Sequence, residues 1–452
     1  MFSYQKPYVV NPAASSSSLE AKRPAIDNGL DVPDPSRYYT REFMELEWKR
    51  LWPSVWLLAG VTSDIPEEGD YTVFDLGHES ILIVRQKGGA IRAFYNVCPH
   101  RGNKVALNDA GSVERFTCAF HGWKFCTDGK LEQITDEESF HPSLIRGRPG
   151  LSEVRCDSVG GLIFINMDGK APALTDWIGL PKGYIENYQI DQMNVVRHVR
   201  TEWHGNWKTG VDAFYETYHL PHIHPQTQGV MEDFSQYDLY PNGFSRMIVP
   251  ICTKSHRVAD QETVEADLRF MMREAGMQPD EYHGSARDVR RTVQQAKRDR
   301  AKRLGLKHYD KLTDGQLTDS WATGLFPNVQ IGMHPEGVFI MRFLPHPTDP
   351  ERFFYDNITM YRYVDDPDYF VPAWMGLPTD TDVSGAVRPP IERYGVDQRA
   401  DLGPVLNQDV ELVAAVQKGA RSRGFRGPLW SEQEMRVRHF HRELDRVLGL
   451  KP

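Results

Sequence analysis

Long apolar runs are missing from this sequence of 452 residues. A membrane-spanning helix needs about 18 or more consecutive apolar residues, so the sequence predicts none. The N-terminal segment MFSYQKPYVVNPAASSSSLEAK contains no apolar core of the kind found in secretory signals, and we therefore expect a cytoplasmic protein. Cysteine is scarce as well. The five cysteines argue against a disulfide framework, which leaves metal binding or simple burial as their roles.

Basic clusters are also missing. The sequence has 53 Lys and Arg residues against 62 Asp and Glu residues, which gives a formal net charge of −9. An acidic chain without a block of basic residues predicts no nucleic-acid partner. The content of 40% hydrophobic and 25% charged residues is typical of a globular protein and excludes a wholly disordered or collagen-like chain.

Three segments of the chain differ in texture. Residues 1–51 contain a Ser-, Ala- and Pro-rich arm followed by a helical pattern, and we expect both to pack on the last domain. Residues 52–169 alternate short β-prone runs with Gly, Asp and Asn turns, which predicts an all-β domain. Residues 170–452 mix both patterns. We therefore expect an α+β protein in which the all-β domain is inserted into, or precedes, a larger domain with an antiparallel sheet flanked by helices.

Hydrophobic periodicity locates the main elements of the larger domain. Helices are predicted at 206–219, 262–305, 404–421 and 431–449, and strands at 337–345 and 353–363. The predicted apolar faces are Phe43, Leu46, Trp48 and Leu51 in the N-terminal helix, and Leu406, Val410, Val413 and Val416 in the 404–421 helix. Residues 262–305 are highly charged and have Val264, Leu268, Met271 and Ala275 at core spacing, and we interpret this stretch as a solvated surface excursion rather than a functional element.

Two short segments of the all-β domain each combine a cysteine with a histidine. Cys98-Pro-His100 is followed after seventeen residues by Cys118-Ala-Phe-His121. Two Cys and two His can hold zinc, but zinc fingers usually keep the two Cys together and the two His together. One of each per loop favours an iron–sulfur cluster with two unlike irons, while a structural zinc site stays the alternative. The other three cysteines are interpreted as small buried side chains: Cys126, Cys156 and Cys252.

A second group of histidines lies in residues 216–224, Glu-Thr-Tyr-His-Leu-Pro-His-Ile-His. Non-haem iron that activates dioxygen typically binds two His and one carboxylate and keeps open positions. Three imidazoles compete for the two His positions: His219, His222 and His224. Pro221 is predicted to break the helix after Leu220, so helical geometry alone does not choose between them.

The third ligand of such a site has to be a carboxylate from another part of the chain. Asp409 lies in a predicted amphipathic helix between Leu406 and Val410, near the apolar face. An unpaired buried charge is costly, and a metal ion would supply the partner. We expect Asp401 and Glu411 to be exposed instead.

Three segments resemble the large (alpha) subunit of the Rieske non-haem iron ring-hydroxylating oxygenases, in order from Trp52 to the C-terminus. CPHRG with CAFHGWKF resembles the Rieske motif, NWKTGVDAFYETYHLPHIHP resembles the mononuclear-iron motif, and LNQDVELVAAVQKGARSRGF resembles the segment with the last iron ligand. The resemblance implies one 2Fe-2S cluster bound by Cys98, His100, Cys118 and His121. It also implies one mononuclear Fe(II) per subunit, bound by His219, His224 and Asp409.

The resemblance also implies an assembly. Glu216 would link His121 of one subunit to His219 of the next in a homotrimer, with or without a small beta subunit. Asp212 is a weaker candidate for tuning or gating, and a plain helix-surface charge is an equal alternative. We expect His222 to be a surface residue or to lie just outside the ligand shell.

The resemblance implies a terminal oxygenase. The sequence has no dinucleotide-binding fingerprint, so electrons from NAD(P)H are expected through a separate ferredoxin or reductase. Dioxygen would then hydroxylate a hydrophobic small molecule, aromatic or polycyclic, with O- or N-demethylation or quaternary-amine oxidation as the alternative. The expected pocket wall is Phe214, Met231, Phe234, Leu325, Phe326, Val329, Ile331 and Phe339.

Two other classes of protein compete with this hypothesis. A Rieske electron carrier would not need some 280 residues after the all-β domain, nor the pair His219 and His224. A zinc-stabilised binding protein would contain no iron. Metal analysis separates the three classes, because an oxygenase contains about three irons per chain, a carrier about two and a zinc protein none.

Overall fold

The structure is a computed structural model that describes residues 8–147, 150–366, 369, 377–378 and 380–450. The chain divides into two units, of which the smaller is Trp48–Trp177. The larger unit combines Met1–Glu47 with Ile178–Pro452. Within the described residues, no helix combines the length and the apolar character that crossing a membrane requires.

The chain begins with the arm and helix α1 (Arg41–Arg50), after which the smaller unit is built almost entirely from strands. Its strands are β1 Leu57–Val61, β2 Asp70–Leu76, β3 Glu79–Arg85, β4 Ile91–Tyr95, β5 Ala110–Ser112, β6 Arg115–Thr117, β7 Lys124–Cys126, β8 Leu131–Gln133, β9 Glu153–Val159 and β10 Leu162–Asn166. Its short helices are α2 Pro142–Ile145 and α3 Leu174–Trp177.

Two antiparallel sheets form the smaller unit. One has seven strands in the order β1-β10-β9-β4-β3-β2-β5, and the other has the order β6-β7-β8. Ile81 to Val84 in β3 are all fully buried, as β-branched and apolar residues of a central strand commonly are. The small sheet β6-β7-β8 lies directly beside the second cysteine–histidine segment in the sequence and positions it.

The larger unit contains one sheet and, after Ile178, seven α-helices among its described residues. Its strands are β11 Asn194–His204, β12 Gln236–Leu239, β13 Ser245–Val249, β14 Ser320–Leu325, β15 Val329–Met333, β16 Gly337–Pro345, β17 Arg352–Tyr361 and β18 Ile391–Tyr394. Its helices are α4 Trp207–Phe214, α5 Leu220–Ile223, α6 Ala266–Glu274, α7 Ala286–Leu304, α8 Asp314–Thr318, α9 Pro404–Ala420 and α10 Met435–Leu448.

The sheet of the larger unit has the order β12-β13-β14-β15-β16-β17-β11-β18. Every neighbouring pair is antiparallel except β11 and β18, which run parallel. The predicted α+β class is therefore confirmed, with one parallel pair at the edge of the sheet. A parallel pair needs a long connection, and nearly two hundred residues separate β11 from β18.

The predicted helix at 206–219 is shorter in the structure. Asn206 caps α4 by accepting a hydrogen bond from the backbone N–H of Lys208, but the helix ends at Phe214. The predicted break at Pro221 is also wrong, because Pro221 lies in the first turn of α5. A proline is tolerated there since the N–H that it lacks would have no partner within the helix.

The buried faces of α1 and α9 differ from the predicted apolar faces. In α1, Met44 and Glu47 are buried, while Phe43, Leu46 and Trp48 are half-buried. The Glu47 carboxylate accepts hydrogen bonds from the Lys208 ammonium at 2.5 Å and from the indole N–H of Trp207 at 3.1 Å. A buried pair of opposite charges thus replaces the expected apolar contact.

Helix α9 buries Asp409, Val413, Gln417 and Ala420, whereas Val416 is 58% exposed. Gln417 accepts from the backbone N–H of Asn206 at 2.8 Å and donates to the Tyr38 carbonyl at 2.9 Å. These hydrogen bonds explain why the buried face of α9 differs from the predicted one. The buried amide group of Gln417 pairs with backbone groups that would otherwise lack partners.

The core spacing predicted within 262–305 is confirmed for Leu268 and Ala275, so the stretch is solvated on one side only. Fully buried residues of α6 and α7 form an apolar cluster together with Cys252: Leu268, Met272, Val289 and Val293. Cys252 is buried as predicted. Cys126 and Cys156 are only half-buried, which corrects the prediction for these two.

Candidate metal centres and substrate cavity

The two cysteine–histidine segments fold into loops with matching backbone hydrogen bonds. Cys98 N–H donates to the Asn103 carbonyl at 2.8 Å, and Cys118 N–H donates to the Trp123 carbonyl at 2.9 Å. In each loop the glycine four residues after the cysteine donates back to the cysteine carbonyl. Gly102 and Gly122 have φ values of +79° and +73°, a conformation that favours glycine. Each loop therefore carries one thiol and one imidazole, on backbones with matching hydrogen bonds.

Backbone N–H groups point at both sulfur atoms. Burial raises the pKa of Cys98, and the N–H groups of His100 and Arg101 offset part of this effect. Burial also acts to raise the pKa of Cys118, but the backbone N–H groups of Phe120 and His121, together with the side chains of Cys98 and Asn103, outweigh burial and lower that pKa. N–H groups that stabilise a negative sulfur are suited to thiolates bound to a metal.

The two histidines of these loops lie side by side. The ring centroids of His100 and His121 are 4.6 Å apart, and His100 stacks on Trp123 at 4.9 Å with nearly parallel rings. Both cysteines are 2% exposed, while both histidines are only half-buried. The loops thus bring the two buried sulfurs together and the two more accessible imidazoles together.

Three other predicted ligands meet in the larger unit. Possible ligand atoms of His219, His224 and Asp409 all lie within 4.8 Å of one another. Asp409 Oδ1 is 3.0 Å from His224 Nε2 and 3.8 Å from His219 Nε2. His224 precedes a short 3-10 turn, and α9 supplies Asp409 from 185 residues further along the chain.

The remaining nitrogen of each imidazole has a side-chain partner. His219 Nδ1 is 2.5 Å from Glu216 Oε1, and His224 Nδ1 is 2.8 Å from Gln408 Oε1. Burial alone lowers the pKa of His219, but the carboxylates of Glu216 and Asp409 outweigh it and raise that pKa. Fixing Nδ1 turns both Nε2 atoms toward Asp409, which is how proteins commonly orient a metal-binding imidazole.

Sequence reasoning missed Gln408. It carries no motif of its own, and only its place beside Asp409 could have pointed to it. Neither Glu216 nor His219 lies in a regular helix. A second hydrogen bond holds them together, since the backbone N–H of His219 also donates to the Glu216 carboxylate at 3.1 Å.

His222 is exposed and does not belong to the group of His219, His224 and Asp409. A second group of acidic and His side chains consists of Glu232, Asp233 and His256. Glu232 Oε1 is 2.7 Å from His256 Nδ1, and the Asp233 carboxylate accepts from Ser255 and Arg257. Protein donors already satisfy this second group, so its chemistry does not favour a metal.

Asp212 lies in a network away from the iron-ligand candidates. Its carboxylate accepts a hydrogen bond from the Tyr38 hydroxyl at 2.6 Å and lies 2.9 Å from His441 Nε2. Arg37 contacts the other nitrogen of His441. Asp212 thus connects α4 with the N-terminal segment and α10, and it is not the plain surface charge considered as an alternative.

A cavity of about 430 Å³ opens beside the iron-ligand candidates and lies wholly within the larger unit. Apolar side chains make up most of its wall, and a volume of this size is typical of small-molecule sites. His219, His224, Glu216 and Asp409 all line it. The apolar part of the wall includes Phe214, Leu220, Val230, Met231, Met247, Val249, Ile251, Met271, Val293, Ala322, Phe339, Met341 and Leu406.

Three predicted wall residues line this cavity: Phe214, Met231 and Phe339. Five others were wrong and pack elsewhere: Phe234, Leu325, Phe326, Val329 and Ile331. Strands β14 and β15 turn Ser320, Ala322, Gln330 and Gly332 toward the cavity instead. Because successive side chains of a strand point to opposite faces, choosing the odd-numbered residues selected the wrong side of the sheet.

Comparison with known proteins identifies the family. Residues 190–450 match the catalytic domain of the ring hydroxylating alpha subunits, and residues 55–146 match the Rieske 2Fe-2S domain. The chain belongs to the ring-hydroxylating alpha-subunit family. The resemblance inferred from the three sequence motifs is therefore confirmed.

Relatives of different activity resemble parts of the chain. The oxygenase subunit of glycine betaine monooxygenase from Pseudomonas aeruginosa is 28% identical over 200 residues, which are 44% of this chain and 46% of that protein. The alpha subunit of biphenyl 2,3-dioxygenase from Rhodococcus jostii is 37% identical over 162 residues, 36% of this chain and 35% of that protein. Each of these two matches spans less than half of the relative's own length.

A solved structure shows the same fold along most of the chain. A quaternary ammonium Rieske monooxygenase in complex with L-carnitine superposes with a TM-score of 0.63 and 19% identity. The superposition covers 92% of this chain and 95% of the other. At this level of identity the similarity establishes the fold alone.

The family implies a Rieske 2Fe-2S cluster and a mononuclear iron. The residues present fit both groups. Two thiols with N–H groups directed at them and two imidazoles suit the cluster. Two Nε2 atoms and one carboxylate oxygen suit a mononuclear iron with open positions.

Replacing Gln408 by Leu should weaken Fe(II) binding at the mononuclear site by about 10- to 100-fold, because His224 then loses the partner that fixes its orientation. The measurement is a titration of the metal-depleted protein with Fe(II) against a competing chelator. Gln408→Glu keeps an oxygen acceptor for Nδ1 and should restore most of the affinity. Unchanged affinity in Gln408→Leu would contradict this role.

Proposed function

We propose that this protein is the terminal oxygenase of a multicomponent system. It accepts electrons at a Rieske cluster and activates dioxygen at a mononuclear iron to oxidise a largely apolar small molecule. One observation carries the proposal: His219, His224 and Asp409 converge on the wall of a predominantly apolar cavity. Such a cavity can hold a substrate beside the open positions of the iron.

The side chains around the site prepare it in three ways. When bound, the iron supplies the activation of dioxygen and the cluster supplies single electrons. Glu216 and Gln408 hold the two imidazoles with Nε2 facing inward, and Asp409 provides the negative charge that a cation requires. The apolar wall binds the substrate and keeps bulk water away from the reacting groups.

Electron supply is proposed to come from separate ferredoxin or reductase components. The proposed route inside the oxygenase runs from the cluster of one subunit to the iron of the next, in a homotrimer with Glu216 linking His121 to His219. Phe120, which lies against His121 with ring centroids 3.9 Å apart, is 54% exposed. The cluster loop is therefore accessible at the surface of the chain, as a contact between subunits requires. A tuning role for Asp212 stays a prediction.

The substrate is proposed to be aromatic or polycyclic, in view of the apolar wall. Oxidation of a quaternary amine is the second candidate, and the similarity to glycine betaine monooxygenase favours it. The cavity wall does not favour it, because Lys297 and Arg300 line the cavity beside Glu274 and Glu336 and leave a cation no net attraction there.

Replacing either His219 or Asp409 by Ala should abolish oxygenation and remove the mononuclear iron, because two protein ligands do not retain it. The visible spectrum of the Rieske cluster should stay intact, since the two centres share no ligand, and iron content should fall from about three to about two per chain. His222→Ala and Glu411→Gln change exposed side chains and serve as matched controls. Each should keep oxygenation and the mononuclear iron. Loss of the cluster spectrum in either Ala variant, or oxygenation by it, would contradict the proposal.

Mixing two inactive variants tests the route between subunits. His121→Ala lacks a cluster ligand and Asp409→Ala lacks an iron ligand, so neither should turn over alone. Under conditions that exchange subunits, mixed rings pair an intact cluster with an intact iron across an interface, and activity should return. No recovery despite verified mixing and metal loading would mean that electrons travel within one chain.

A further inference from the structure

One part of the cavity wall is strongly polar. Helix α7 presents Val293, Lys297 and Arg300 to the cavity, at positions i, i+4 and i+7, which share one helical face. The turn between β15 and β16 adds His334 and Glu336. We call the pair of Lys297 and Glu336 the polar anchor. Sequence reasoning missed it, because the charges of α7 were interpreted as a solvated surface.

The two oxygens of Glu336 have different surroundings. Oε1 is 2.8 Å from the Lys297 ammonium and accepts a hydrogen bond from the Tyr309 hydroxyl at 3.3 Å. Oε2 is buried and has no hydrogen-bond partner among the described residues. The residue is only 2% exposed. A buried carboxylate oxygen without a donor is costly, so this atom is a position at which a ligand can supply one.

Glu336 is ionised despite its burial. Burial alone would raise its pKa, but the charges of Lys297 and Arg300 outweigh this effect and hold the pKa below its ordinary value. The Lys297 ammonium carries three N–H donors, so its pair with Glu336 leaves donors for a ligand. The polar anchor therefore offers a strong acceptor and a strong donor next to each other.

The charges of the wall select the kind of group that fits. Lys297 and Arg300 balance Glu274 and Glu336 in formal charge, and all four line the cavity. Burial and the nearby Lys297 lower the pKa of His334 to about 3, so it is neutral at physiological pH. Lys297 would attract a carboxylate but the unpaired oxygen of Glu336 would repel it, and a cation would meet the reverse, so neither full charge gains a net attraction. A hydroxyl group meets neither repulsion, because it donates to one partner and accepts from the other.

We propose that the substrate is an apolar molecule that carries a hydroxyl group, and that this group binds between Lys297 Nζ and Glu336 Oε2. The rest of the molecule lies along the apolar wall that continues to the iron-ligand candidates. The inference deepens the proposed function, on which it rests for the reaction that follows binding. It names the class of substrate: phenols and alcohols with a mostly hydrocarbon body.

A series of ligands with one shared body tests the selection. Binding to the anaerobic holoenzyme is measured by isothermal titration calorimetry with naphthalene, 2-naphthol, 2-naphthoate and trimethyl(2-naphthyl)ammonium. We expect 2-naphthol to bind about tenfold or more tightly than each of the other three, as the gain of two charge-assisted hydrogen bonds allows. Equal affinities, or tightest binding of the carboxylate or the cation, would overturn the inference.

Two variants locate the hydroxyl group. Lys297→Met removes the donor at nearly constant volume, and Glu336→Gln replaces a carboxylate oxygen by an amide N–H₂ group. Each should reduce the preference for 2-naphthol over naphthalene to less than about threefold, while naphthalene binds as before. Lys302→Met removes an exposed lysine from the same helix and should keep the full preference. A preference that survives in both anchor variants would place the hydroxyl elsewhere. The ligand series is measured on the unmodified protein, so its result does not depend on whether either variant folds.

The two proposals fail in different ways. Oxygenation of ligands by a protein that shows no hydroxyl preference would overturn the polar anchor and leave the proposed function standing. A hydroxyl preference that depends on Lys297 and Glu336, in a protein without iron-dependent oxygenation, would support the anchor and overturn the proposed function.

Discussion

The meeting of one carboxylate with two imidazoles is the contact on which the rest of the larger unit depends. His219 and His224 come from one short segment, and Asp409 arrives from 185 residues beyond His224. A carboxylate that is 7% exposed needs a compensating charge, which a bound cation would provide. The fold therefore has to bring α9 to a fixed place beside the segment after α4.

Polar contacts along α9 hold the helix in that place. Gln417 pairs with the backbone of Asn206 at the start of α4 and with the Tyr38 carbonyl, two turns beyond Asp409. Gln408 contacts His224 directly. Gln417 lies on the buried face that also carries Val413, so the helix docks through a mixed apolar and polar surface. Its orientation, and with it the position of Asp409, follows from pairing as much as from hydrophobic burial.

The sequence could predict functional residues of rare types that lie close together along the chain. The two cysteine–histidine segments and the histidines of 216–224 are of this kind, and so is the all-β character of the smaller unit. Predictions from hydrophobic patterns failed where a buried residue is polar or an exposed residue is apolar. The predicted face of α9 placed Val416 inside and left Gln417 out, because periodicity assumes that buried residues are apolar. The wall residues Val329 and Ile331 were wrong by one strand position, which reverses the face of a sheet.

The charged helices α6 and α7 show most clearly that sequence patterns do not predict which polar residues are buried. The charges of 262–305 indicated a solvated surface, yet α7 directs Lys297 to the cavity, and Val293 both lines the cavity and belongs to the apolar cluster with Cys252. Relatives that act on betaine and on biphenyl resemble this chain to a similar degree, so overall similarity does not select a substrate. The balance of charge around Lys297 and Glu336 is a more informative guide, because paired opposite charges give neither a cation nor an anion a net attraction.

The location of iron tests the central claim most directly. Crystals of the anaerobic, iron-loaded protein, measured on both sides of the iron absorption edge, should give one anomalous peak among His219 Nε2, His224 Nε2 and Asp409. A second, two-iron peak should lie between Cys98, His100, Cys118 and His121. Iron at the group of Glu232, Asp233 and His256 instead, or zinc in the cysteine–histidine loops, would contradict the account.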